Sequence, residues 1–222
     1  MDDSLVKARL LETTVTRLNE RGLALLTKAA QALSDAEPQS DCREILSLWA
    51  CANGSTLSRA ACCPMVLLDF NFRRLAWWSR VINAEPPGES RQQRLNAFHT
   101  DEAMPLARDL LLEAWSAARS TSAVSSLVFG MAPEVTTLIA RLSPRDMDRL
   151  VTQEIQELRP RWENRPMFWK ELLHAAIQMD DESLANVHLH CLQLLGGELA
   201  CTREKPLVTT LSTSGSMLDA FG

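Results

Sequence analysis

An all-α fold is what this sequence predicts, and three observations carry the prediction. Apolar residues recur at three- and four-residue spacing through most of the 222 residues. Glycine is scarce, at eight residues, which argues against a loop-rich all-β fold. Capping residues and prolines stand where such helices would start and stop. A chain of this length buries roughly 70% of its unfolded surface, so folding requires neither metal nor disulfide. With 46% hydrophobic and 23% charged residues, the composition is globular and not disordered.

The first element reads as one long helix over 4–33. Leu11, Val15, Leu18, Gly22, Leu25, Ala29 and Ala32 follow a 4-3-4-3 spacing, a narrow heptad-like seam. Gly22 costs the helix up to about 1 kcal/mol relative to Ala but lets another backbone approach closely. Two readings fit the seam. Leu11, Val15, Leu18, Gly22 and Leu25 pair with a second subunit, or they lie on the protein's own core. Asp41–Ala52 reads as a short helix with Ile45, Leu48 and Trp49 on one face and Asn53-Gly54 as its stop. Pro64 then opens the least helical stretch. Asp69 and Asn71 alternate with Leu68, Phe70 and Phe72, which predicts a minor strand near 66–72, with a buried helical turn as the alternative. Leu75–Ile82, carrying Trp77-Trp78, is the next helix, and Glu85–Glu89 with its Pro-Pro-Gly is a linker.

Beyond the linker the pattern is strongly helical. Ala103–Arg119 places Leu106, Leu110, Trp115 and Ala118 on one face, with Pro105 tolerated in the first turn. Ser122–Phe129 is a short apolar helix ended by Gly130 in a left-handed cap. Pro133–Leu142 follows, and Ser143-Pro144-Arg145-Asp146 restarts a helix, with Ser143 as N-cap, Pro144 at N1 and Asp146 at N3. That helix runs to Leu158, with Met147, Leu150, Val151 and Ile155 buried, and Arg159-Pro160 breaks it. Asn164 caps a helix over Arg165–Met179. The last helix starts at Asp181 or Glu182, runs through Leu195 and frays at Gly196-Gly197, before a mobile Ser/Thr-rich tail. No internal repeat is evident. The organisation is an N-terminal region over 1–84, a C-terminal region over 89–200 and a tail over 201–222, with the first two reading as one folded unit.

Catalytic signatures are missing from the sequence: no phosphate-binding glycine spacing, G-x-S-x-G or H-E-x-x-H occurs, and no catalytic residue is assigned. Asp180-Asp181-Glu182 stand at a helix start, where the macrodipole accounts for them. His99 and His174 have no obvious acid partner. The six cysteines include no C-x-x-C pair and read as reduced thiols packed as small apolar residues. His188 and His190 point about 200° apart on a helix, so they cannot chelate one ion together. His188 and Cys191, at i and i+3, can share one only with ligands from elsewhere, so no metal or cofactor is assigned.

Charge is more informative. The net charge of −5 excludes a uniformly basic nucleic-acid binder but leaves a local basic face open. Residues 141–170 carry seven basic against five acidic side chains, whereas 171–222 carry two against seven. Arg141, Arg145 and Arg149 recur every four residues, and Arg159 and Arg161 add two more. Such a stripe suits phosphate contacts by planar, bidentate donors, and equally suits a solvated face paired with Asp146 and Asp148. No apolar run approaches the roughly 18 residues of a membrane span. The Met1-Asp2-Asp3-Ser4 start lacks a secretory signal's plan, so a cytoplasmic protein is expected.

The run Phe129–Ser143, FGMAPEVTTLIARLS, together with Arg145–Leu150, RDMDRL, resembles the family of the flagellar transcriptional regulator FlhD. The similarity covers 120–175, and Leu158–Trp162 stands where that family has an Arg/Phe-rich segment. The resemblance implies an all-helical activator of transcription in flagellum biogenesis, working as an oligomer with a zinc-bearing partner subunit that helps contact DNA. It makes Arg145, Arg149, Arg159 and Arg161 the candidate DNA-backbone contacts. Two features depart from the family: the long N-terminal region including Pro64–Trp78, and cysteines that do not follow the zinc-bearing partner's pattern. The competing expectation is a helical adaptor that binds another protein, with Trp77-Trp78 and Trp162 and Trp169 as anchors or as core.

Overall fold

The computed structural model describes residues 3–32, 45, 48–85, 98 and 101–203. In chain order the elements are α1 (Asp3–Ala32), α2 (Gly54–Ala61), β1 (Leu68–Asp69), α3 (Leu75–Ile82), α4 (Ala103–Ser120) and α5 (Ser122–Val124). They continue with α6 (Pro133–Ala140), α7 (Pro144–Glu154), β2 (Arg159–Pro160), α8 (Pro166–Gln178) and α9 (Asp181–Arg203). The fold is mostly α with one two-stranded ladder, β1 against β2. The buried apolar side chains form a single cluster from Val15 in α1 to Leu195 in α9.

Helix α1 lies antiparallel to α4. Three ion pairs mark the crossing, Arg17–Glu113 at 3.5 Å, Arg21–Asp109 and Lys28–Glu102 at 2.5 Å, and the residue numbers run in opposite directions along it. These pairs are partly exposed and set alignment more than stability. The buried stripe of α1 is Thr14, Val15, Leu18, Asn19, Gly22, Leu23, Leu26, Thr27 and Ala30, broader than a coiled-coil seam and including Val15, Leu18 and Gly22 of the expected one. The candidate intersubunit seam is therefore corrected. Val15 and Leu18 belong to this chain's own core, and Leu11 and Leu25 are half-buried against it. Gly22 is seated on Leu68, where an added Cβ would stand 2.9 Å from a methyl carbon.

Asn19 explains how α1 holds the irregular stretch before β1. Its side-chain amide donates to the carbonyls of Ala61, Cys63 and Met65, and its oxygen accepts from the Leu67 N–H at 2.8 Å. A wholly buried asparagine is stable only when satisfied in this way, and here each bond ties down backbone that no helix or sheet supports.

Two short segments, Leu67–Trp78 and Leu158–Trp169, share one local geometry although the sequence carries no evident repeat. Leu68 and Arg159 open strands that pair antiparallel, Leu68 with Pro160 and Asp69 with Arg159. The first residue of each strand thus faces the second of the other, and a pseudo-two-fold axis passes between them. Each strand leads to a left-handed residue, Asn71 (φ 53°) and Trp162 (φ 55°). Their carbonyls accept from the N–H groups of Arg74 and Arg165 at 2.9 and 2.8 Å. Each of those arginines opens a helix, and the fourth residue of that helix is Trp78 or Trp169. Each indole N–H donates at 3.0 Å to a backbone carbonyl of the turn before its helix, that of Asn71 or of Arg161. Upstream, Asn53 and Ser143 both cap a helix by accepting the N–H three residues on. The likeness is one of geometry: at equivalent places only Leu67/Leu158, Arg74/Arg165 and Trp78/Trp169 keep their identity along this stretch.

Several boundaries differ from expectation for local reasons. Asn53 opens α2 instead of stopping the preceding helix, because its carboxamide oxygen accepts from Thr56 N–H at 2.9 Å. Of the expected helix Asp41–Ala52, Ile45, Leu48 and Trp49 are helical, Ala50 and Cys51 turn, and 41–44 and 46–47 lie outside the described residues. Helix α7 ends at Glu154 in a 3-10 turn, Ile155–Glu157, which leaves Ile155 only half-buried. Arg159-Pro160 is a strand and not a simple break. Arg165, not Asn164, is the N-cap of α8. Helix α9 continues through Gly196-Gly197 to Arg203. The linker residues 86–89 and the tail beyond 203 lie outside the described residues.

Candidate nucleic-acid interface

The arginine stripe starts from a well-fixed helix. Ser143 Oγ accepts the Asp146 N–H at 3.2 Å, and the Asp146 carboxylate accepts the Ser143 N–H at 3.0 Å, which closes a capping box. Hydrogen bonds from the Ser143 hydroxyl and backbone, with Arg149 nearby, hold the Asp146 carboxyl below the usual carboxylate range. Helix α7 then buries Met147, Leu150 and Val151. Both α6 and α7 pack on α4, and Trp115 of α4 donates its indole N–H to the Leu142 carbonyl at 3.0 Å, fixing the turn between them.

With that face buried, Arg145 and Arg149, four residues apart, are exposed, and Arg141 is exposed at the end of α6. The acidic neighbours do not cancel them. Asp148 is engaged by Arg108 of α4 at 2.8 Å, and Asp146 stands 3.6 Å from Arg149. Arg108 and Arg149 are thus each paired with a carboxylate, while Arg141 and Arg145 have no acidic side chain within 4 Å among the described residues.

Arg159 and Arg161 do not join the patch. Arg159 donates through Nε and Nη2 to Asp69 Oδ2 at 2.9 and 2.6 Å, across the β-ladder, with Glu163 at 3.6 Å. Burial works against its charge, but the Asp69 carboxylate, with Glu163 and Glu157, outweighs it and raises its pKa above the ordinary arginine value. Arg161 is further inside. Its side chain is 5% exposed, and it binds Glu198 of α9 at 3.0 Å and the Val128 carbonyl. It also stacks over Trp162 at 4.5 Å, while the Trp162 indole donates to the other Glu198 oxygen at 2.9 Å. Gly130, at φ 69°, makes room for this guanidinium, because a Cβ there would overlap it. These two candidate DNA contacts are corrected: their charges are committed to internal carboxylates that lie far away in sequence and gave no local signal.

The tryptophans considered as interface anchors are core residues. Trp78 and Trp169 are fully buried, Trp77 and Trp162 nearly so, and Trp77 and Trp78 pack edge-to-face at 5.1 Å. Exposed apolar side chains stand elsewhere. Met167, Ile177 and Met179 on and after α8, with Leu189 and Leu192 on α9, are each at least half exposed. Between these helices runs an open groove of about 450 Å³ lined by Met167, His174, Ala175 and Val187. The signal for this face was readable, since Leu189 and Leu192 fall outside the buried stripe Leu184, Val187, Cys191 and Leu195.

The remaining titratable candidates are scattered. His174 is exposed beside Gln178, His190 meets Glu171 at 2.7 Å, and burial pushes the His188 pKa down. His99 lies outside the described residues. Among the described residues no three His, Cys, Asp or Glu side chains converge as metal ligands, and no helix is long and apolar enough to cross a membrane. Comparison with protein-family models, with curated proteins and with solved structures returns no match to this chain.

Proposed function

We propose that this protein is a non-catalytic, cytoplasmic regulator of transcription of the FlhD type, which offers α7 and the turn before it to DNA phosphates as one subunit of a complex. The reading rests on the exposed Arg145 and Arg149, four residues apart on a capped helix held by α4, with Arg141 exposed at the end of α6 just before it. Three phosphate contacts imply a slope of log affinity on log salt of about −2.7, hence a fall of roughly 40-fold between 50 and 200 mM. That is modest, and a net charge of −5 opposes approach, so a partner subunit supplies the remainder of the affinity. The test is binding to duplex DNA at two salt concentrations. Arg145→Ala with Arg149→Ala reduces the slope by about two if these residues contact phosphates, and leaves it unchanged if they do not.

A second reading, an adaptor that binds protein and not nucleic acid, is favoured by the exposed apolar residues of α8 and α9. Under it the wild-type chain shows no salt-dependent DNA binding at 50 mM. Met167→Glu with Leu189→Glu then removes partner capture without altering the fold.

A further inference from the structure

Two buried cysteines 128 residues apart in sequence meet in the interior. Cys63, in the irregular stretch between α2 and β1, has its sulfur 3.5 Å from that of Cys191, midway along α9. They are 1% and 0% exposed, respectively. We propose that Cys63 and Cys191 are a site of reversible disulfide formation by a hydroperoxide, which joins the loop before β1 to α9.

The local electrostatics select which sulfur reacts first. Either sulfur can donate in the contact between them; with Cys191 as donor, and with the Met65 N–H and the Arg161 guanidinium also acting against the cost of burial, the Cys63 thiolate is favoured and its pKa is lowered. The Cys191 pKa is raised by the same hydrogen bond, by burial and by the Cys63 charge. The thiolate is the nucleophile in thiol oxidation, and because both sulfurs are buried a hydroperoxide reaches Cys63 only when the irregular stretch before β1 opens. Cys63 sulfur attacks one peroxide oxygen, the O–O bond breaks and hydroxide leaves, giving a sulfenic acid. The proton released when the Cys63 thiol ionised converts that hydroxide to the first water; Cys191 sulfur then displaces the sulfenic hydroxyl, which takes the Cys191 thiol proton and leaves as the second water. Two thiols and one hydrogen peroxide become one disulfide and two waters. The sulfurs must close by about 1.5 Å, and neither needs to leave its element.

The placement gives the bond a consequence. Helix α9 is held at its start by Asp181 to Arg59 of α2 at 3.0 Å, and toward its end by Glu198 to Arg161. Cys191 lies between these two attachments, directly beside the exposed Leu192. The disulfide pins the middle of α9 and so fixes the helix that carries the exposed Leu189 and Leu192.

The experiment treats the folded full-length chain with stoichiometric hydrogen peroxide, blocks remaining thiols in denaturant and maps the peptides by mass. Loss of two of the six thiols, with a Cys63–Cys191 cross-link that dithiothreitol reverses, is the expected result. Because Cys62 is adjacent and exposed, the map is repeated with Cys62→Ser, in which the link persists. The oxidised protein also melts several degrees higher than the reduced one. Recovery of both Cys63 and Cys191 as blocked thiols, or a link that requires Cys62, overturns the assignment.

Discussion

Arg161 and Glu198 meet at 3.0 Å with the guanidinium side chain 5% exposed, so an arginine that the sequence offers to a ligand is instead a tie between the β2 turn and α9. Removing Arg161 costs about 1–3 kcal/mol, because Glu198 loses a charge-assisted hydrogen bond but keeps Arg73 at 3.6 Å and the Trp162 indole N–H. Arg161→Ala is therefore expected to lower the urea midpoint with an unchanged m-value, and to leave the salt dependence of DNA binding as it was. Loss of DNA binding without loss of stability would reassign Arg161 to the surface site.

Asn19 supplies a second test. Asn19→Ala removes four hydrogen bonds and strands the carbonyls of Ala61, Cys63 and Met65 together with the Leu67 N–H. At roughly 1 kcal/mol for each of the four groups left dry, the loss is about 4 kcal/mol, measured by denaturant titration. A change within about 0.5 kcal/mol, which is usual for surface sites, would mean that water replaces the side chain.

Gly130→Ala combines two penalties. A left-handed non-glycine costs about 1–2 kcal/mol, and the added methyl displaces Arg161 from Glu198. The expected result is a destabilisation larger than backbone strain alone, with much of the excess abolished when Arg161 is already Ala. A double-mutant cycle reads that coupling. Full additivity would separate Gly130 from Arg161.

The capping box predicts a pH effect with a definite sign. The folded Asp146 carboxyl titrates lower than it does unfolded, so its stabilisation is complete above the ordinary carboxylate range. That contribution is lost as the pH falls below about 4, through the depressed folded value. Ser143→Ala costs about 1 kcal/mol near neutral pH and flattens the acid limb of the stability curve, as thermal melts between pH 2 and 7 would show. An unchanged acid limb would place the shift elsewhere.

What was legible in the sequence was local punctuation. Leu75–Ile82 and the Ser143-Pro144-Asp146 start emerge as read, because caps and prolines act on their own neighbours. Gly130 likewise ends its segment in the left-handed region, although the last turn, Ser125–Phe129, is a π-helix. The failures have a common origin in distance along the chain. Asp69 lies 90 residues from Arg159, and Glu198 lies 37 from Arg161, so a charge pattern could not separate solvated arginines from internal ones. The shared geometry escaped notice because Phe70 and Phe72 of one segment stand where the other has Arg161 and Glu163, while the backbone turn that they share leaves no composition signature. Asn53-Gly54 was ambiguous in itself: the same pair stops one helix or starts the next, and only the bond to Thr56 decides.

The central claim is that Arg141, Arg145 and Arg149 contact phosphates, and the salt slope of duplex DNA binding measures it most directly. Expected are a slope of about −2.7 for the wild-type chain, about −1 for Arg145→Ala with Arg149→Ala, and the wild-type slope for Arg159→Ala. No binding at 50 mM salt by the chain with its captured partner, or equal slopes for the wild type and the double variant, would contradict it.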